Sequence, residues 1–116
     1  AALVFATDLE WDGAPAPAHA ELLALCREPR PADLLIHDGQ FDAATYASHR
    51  GWGHATAEDA VQLAKAAGIQ HLLVTHHDPT HDSAFLAARE RRIRALWPRA
   101  ALARQGQQIV LGEETP

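Results

Sequence analysis

The chain has 116 residues and 12.6 kDa, with 47% hydrophobic and 22% charged residues, which suits one globular domain and excludes a second. A formal charge of −5 excludes a surface built throughout to displace counterions from a phosphate backbone, so nucleic acid is not indicated as an obligate partner. The single Cys26 excludes an intrachain disulfide, no apolar run reaches the roughly 20 residues that span a bilayer, and no charged leader with an apolar stretch opens the chain. These features read as a cytoplasmic protein with no membrane role.

The chain opens on Ala1-Ala2-Leu3-Val4-Phe5, which reads as the cut end of something longer. Leu3-Val4-Phe5-Ala6 is a short apolar run suited to a buried strand, ending at Thr7-Asp8. After a loop with Asp12-Gly13 and Pro15, Pro17 starts a helix over Ala18 to Arg27 whose inner face carries Leu22, Leu23 and Cys26. Pro29 and Pro31 stop it, and Leu34-Leu35-Ile36 forms a second strand that runs into His37-Asp38.

A long connection over 39–55 carries Gly51-Trp52-Gly53-His54 and leads to Thr56, an N-cap with Asp59 three positions on. Ala60, Leu63, Ala64 and Ala67 recur at helical spacing, and Gly68 closes the helix before the strand Leu72-Leu73-Val74. That strand ends in Thr75-His76-His77-Asp78-Pro79. Asp82 or Ser83 caps a last helix with Leu86, Ile93 and Trp97 inward and Pro98 beyond its end, and Ala101 to Gly112 reads as a strand pair turning near Gln105-Gly106. Strand and helix alternate throughout, with no repeat or linker, so the expectation is a layered α/β domain.

Eight histidines is a high count for this length, and four of them fall between His71 and His81. More telling is where the apolar runs stop: at Asp8, at His37-Asp38 and at His76-His77-Asp78. In open α/β sheets, sites form beyond the carboxyl ends of strands, so these groups are expected to converge on one edge. Asp8 offers an oxygen ligand able to bridge two cations, and His76 an imidazole nitrogen for Zn, Mn or Fe. Alone, Asp8 reads better as a turn cap and His76 as a structural histidine; together they favour a metal site.

Asp38 and His54 form a candidate proton-transfer pair, since a carboxylate on one ring nitrogen fixes the tautomer and raises the basicity of the other. Spacing alone serves equally well a reading in which Asp38 ends a strand and His54 packs in a loop. His77 and Asp78 are candidates to support a ligand, while Asp82 reads as a cap and His81 as exposed. Arg89 to Arg94 reads as a solvated helix face with Glu90 and Arg94 as an i, i+4 pair, and Cys26 as a buried, inert thiol.

Phe5-Ala6-Thr7-Asp8, Leu35-Ile36-His37-Asp38, Gly51-Trp52-Gly53-His54-Ala55-Thr56 and Val74-Thr75-His76-His77-Asp78-Pro79 resemble, in order, motifs of metallo-β-lactamase-fold hydrolases. The likeness is to the phosphodiesterase branch that includes ribonuclease Z. Asp8 stands where that family has a metal-bridging aspartate, in a turn reading Thr-Asp-Leu in place of Gly-Asp-Thr. Asp38 replaces the glutamate of a His-Glu-Ala-Thr segment, His54-Ala55-Thr56 resembles His-Ser-Thr, and His76 matches the last metal-binding histidine. The family's His-x-His-x-Asp-His run is not in this sequence; in the family it lies upstream.

The resemblance implies that residues 1–116 are the C-terminal half of a four-layer αββα sandwich, a β-sheet with helices packed on one face. It implies two divalent metal ions, Zn with Mn or Fe as alternatives, held in part by Asp8 and His76. A metal-bound hydroxide would cleave a phosphodiester or related ester of a nucleotide or small molecule, and Asp38 with His54 would protonate the leaving oxygen. The missing half, a partner chain or a second copy in a homo-oligomer would complete the site. The rival from another class is a noncatalytic α/β binding or assembly module, or a subunit fragment inactive alone, in which the histidines serve structure.

Overall fold

The computed structural model describes residues 2–7, 17–40, 48, 55–75 and 82–111. Its elements are β1 (Leu3–Ala6), α1 (Pro17–Arg27), β2 (Leu34–Asp38), α2 (Ala57–Ala67), β3 (His71–Thr75), α3 (Ser83–Leu96) and β4 (Ala100–Leu102). The strands form one parallel sheet in the order β1-β2-β3-β4. Parallel neighbours require crossovers, and the short apolar runs separated by amphipathic helices supply them.

Register explains which side chains enter the core. Val4, Leu35, Leu72 and Ala100 lie side by side across the sheet, and Ala6, His37, Val74 and Leu102 form the next row. All eight are buried, and the apolar ones pack with Cys26 of α1, Val61 and Ala64 of α2, and Ile93 of α3. α2 sits against β2 and β3, α1 packs on α2, and α3 covers β4. The expected α/β architecture with helices on one face is thus present.

On the other sheet face Phe5, Ile36, Leu73 and Ala101 form one row, and Leu3 pairs with the buried Leu34. Leu3 is 51% and Phe5 67% exposed, and Ile36 is half-buried, although Leu73 is buried. Large apolar side chains on a strand face, open to solvent, form an exposed apolar patch of the kind that marks an interaction surface.

The local signals read from the sequence set the helix ends. Thr56 Oγ1 accepts the Asp59 N–H at 3.0 Å, and Gly68 closes α2 in the left-handed region at φ 71°. Asp82, not Ser83, caps α3, accepting the Phe85 N–H at 2.8 Å.

Two expectations are corrected. The tail is not a strand pair: β4 ends at Leu102, a turn at Gln105-Gly106 follows, and no second strand forms among residues up to Leu111. Arg89 to Arg94 is not uniformly solvated, because Arg89 is only 6% exposed. Glu90 bonds Arg104 Nη2 at 2.7 Å and the Leu102 N–H at 2.9 Å, fastening α3 to β4. Arg92 pairs with Glu58 of α2 at 3.3 Å.

Candidate functional site

β2 is an inner strand, and its last two residues, His37 and Asp38, are fully buried. Alternation sends them to opposite faces. His37 lies in the row of Ala6 and Val74 on the helix side, while Asp38 pairs with Thr75 on the open-face side.

The Asp38 carboxylate gathers the chain around it. Its Oδ1 accepts the N–H of Gln40 at 3.2 Å and that of Ala55 at 3.3 Å. The second bond ties the end of β2 to the residue immediately after His54 and just before the Thr56 cap. A buried carboxylate held by backbone donors is fixed in position, as a group that orients a partner must be.

Gly39 follows, and its N–H donates to Thr75 O at 3.1 Å, joining the turn after Asp38 to the last residue of β3. A side chain does not fit there: a Cβ on Gly39 would collide with Val74 Cγ1 and lie 3.3 Å from Ala57 Cα. Glycine is required by close approach. Arg89 reaches from α3 to the same turn, donating from Nη1 to Gly39 O at 2.9 Å and to Gln40 O at 3.3 Å, with its guanidinium 5.1 Å from the Phe85 ring centroid.

His37 donates its Nδ1–H to Asp38 O at 2.7 Å, which fixes the tautomer and leaves Nε2 buried with no partner among the described residues. Burial holds its pKa below the ordinary 6.5, against the opposing influence of that carbonyl bond and of the Asp38 and Asp59 charges. His37 is therefore a neutral core histidine. Burial likewise raises the Cys26 thiol above its ordinary value, in keeping with an inert cysteine.

Asp8, His54 and His76 lie outside the described residues, as do Trp52, His77, Asp78 and His81. The topology bears on them only through the strands they follow. β1, β2 and β3 run parallel, with Ala6 beside His37, His37 beside Val74, and Asp38 beside Thr75. Asp8 comes two residues after Ala6 in sequence and His76 directly after Thr75. No group of three or more His, Cys, Asp or Glu placed to hold a metal exists among the described residues.

Sequence reasoning missed Gly39 and Arg89. Arg89 had a signal: it is three residues after Leu86 and four before Ile93, on the inward stripe of α3.

No protein-family model matches the chain. Individual relatives do. Ribonuclease BN of Enterobacter sp. (strain 638) is 35% identical over 98 residues, covering 84% of this chain and 30% of the relative. Ribonuclease Z of Gemmatimonas aurantiaca is 35% identical over 80 residues, covering 69% of this chain and 25% of the relative. The crystal structure of human tRNase Z, short form, superposes with a TM-score of 0.56 at 25% identity, over 78% of this chain and 28% of that one.

The chain is ribonuclease Z-like and of the metallo-β-lactamase fold. The parallel four-stranded sheet with its helices is what it shares with that fold. Matched residues span less than a third of the length of these ribonuclease Z and BN relatives. No helix among the described residues is long and apolar enough to cross a membrane.

Proposed function

We propose that this chain is the C-terminal part of a metal-dependent hydrolase that cleaves a phosphodiester or related ester. The observation that carries the reading is the buried Asp38 carboxylate, fixed at the end of an inner parallel strand and bonded to the backbone next to His54. Ribonuclease Z and BN relatives support a phosphodiester in RNA as the first substrate class to test.

The donor chemistry of this chain fits divalent metal only in part. Asp8 and His76 supply oxygen and nitrogen donors suited to Zn, Mn or Fe, but two side chains do not hold two ions. The remaining ligands would come from the part of the relatives' length that this chain does not span, from a partner chain, or from a second copy. When bound, the ions would supply Lewis acidity and a nucleophile derived from water. This chain's own residues would do the rest: Asp8 and His76 hold metal, Asp38 orients His54, and His54 protonates the leaving oxygen.

The test uses the complete protein that contains this segment. Asp8→Ala and His76→Ala should lower bound metal, read by native mass spectrometry, and abolish ester cleavage. Asp38→Asn and His54→Ala should retain metal and lose about 100-fold or more in kcat. Full metal content and full activity in Asp8→Ala and His76→Ala would remove both residues from the metal site, whereas a wild-type protein that holds no metal and cleaves no ester would favour the noncatalytic module.

A further inference from the structure

We infer that Arg89 is a positioning residue for the Asp38 carboxylate, acting through the backbone of Gly39 and Gln40; the inference rests on the role proposed above for Asp38. The geometry is a short relay. Arg89 Nη1 donates to Gly39 O and Gln40 O, and the Gln40 N–H donates to Asp38 Oδ1 at 3.2 Å. The other side of the same turn is pinned by the Gly39 N–H on Thr75 O, the residue before His76. Arg89 thus sets the turn that holds Asp38 against the end of β3.

Arg89 differs from its neighbours on the helix in its burial. Arg91, Arg92 and Arg94 on the same helix are exposed, as arginines on a helix ordinarily are, whereas Arg89 is 6% exposed. Removing a guanidinium from water is costly, and an apolar residue on the inward stripe between Leu86 and Ile93 would pack α3 at least as well. What an apolar residue does not supply is a rigid donor spanning two successive carbonyls. Asp82 fixes the start of α3, and Phe85, one turn before Arg89, lies against the guanidinium, so the donor is aimed as well as buried.

Leaving-group chemistry separates a positioning role from a structural one. Protonation matters for a poor, alkoxide leaving group and hardly at all for p-nitrophenolate. In the complete, metal-loaded protein, Arg89→Met should lower kcat between about 10- and 100-fold on an unactivated dinucleoside phosphodiester. It should leave KM, and turnover of bis(p-nitrophenyl) phosphate, close to wild type. Arg89→Lys, which retains one donor of similar reach, should recover part of the loss and covers the case in which Arg89→Met does not fold.

Asp38→Asn is the reference. If it shows the same discrimination between the two substrates and the Arg89 variants lower both equally or neither, Arg89 is only structural and the inference is overturned while the Asp38 role stands. If Asp38→Asn does not discriminate, the proposed proton-donating pair is wrong and the Arg89 inference goes with it.

Discussion

Ala55 donates its backbone N–H to Asp38 Oδ1 over 3.3 Å, joining residues 17 positions apart and closing the long connection between β2 and α2 at its base. The same oxygen takes the Gln40 N–H, so one carboxylate atom organises both ends of that connection. Asp38→Ala removes the acceptor of the buried Ala55 N–H, and an unsatisfied buried donor costs about 1–3 kcal/mol. Asp38→Asn keeps a carbonyl oxygen in place. Urea denaturation should therefore show Asp38→Ala clearly destabilised and Asp38→Asn near wild type. Equal stability of wild type and Asp38→Ala would mean that these bonds do not hold the connection.

His37 makes the fold acid-sensitive. Its folded-state pKa lies below the ordinary 6.5 because burial opposes the charged form. In the window below 6.5 the unfolded chain takes up a proton that the folded chain refuses, so stability is present in full above 6.5 and declines as pH falls toward the folded value. The slope for one such group is at most about 1.4 kcal/mol per pH unit. Thermal melts from about pH 8 down to about pH 5 should show this decline, and His37→Leu, which fills the site without titrating, should flatten it. An unchanged slope in His37→Leu would assign the acid sensitivity elsewhere.

The strands, the caps at Thr56 and Asp82 and the Gly68 terminus were legible because each rests on local chemistry: apolar runs, side-chain acceptors, a residue without Cβ. The alternation of strand and helix was enough to read α/β, and the motif order was enough to read the fold family. Arg89 was misread because charge outweighed position, although its place on the Leu86–Ile93 stripe was in the sequence. The tail failed for another reason. Ala101 to Val110 has strand-like residues, but pairing is a property of the partner, and only Ala100–Leu102 finds one along β3. Asp38 was legible as a strand-end carboxylate, whereas its bonds to Gln40 and Ala55 depend on the turn Gly39 permits and were not.

Gly39→Ala tests that turn. The added methyl would meet Val74 Cγ1 and the Ala57 backbone, and strand and helix have little freedom to move apart. Overpacking of this kind typically costs about 1–3 kcal/mol. Chemical denaturation should show the loss, and Val74→Ala, which removes the colliding methyl, should restore part of it in the double variant relative to the sum of the single changes. Strict additivity would place the strain elsewhere.

The open sheet face predicts self-association of the chain in isolation. Leu3 and Phe5 project from edge strand β1 beside half-buried Ile36, and nothing among the described residues covers them. At high concentration this apolar row should drive dimer formation, visible by sedimentation velocity. Leu3→Thr with Phe5→Thr introduces β-branched, strand-compatible side chains, so the β1 edge, free among the described residues, remains able to pair while the apolar area is removed. Monomeric behaviour of this variant with unchanged stability, within about 0.5 kcal/mol, is the expected result. Undiminished association would assign the contact to the β1 edge and argue against the sheet face as the associating surface.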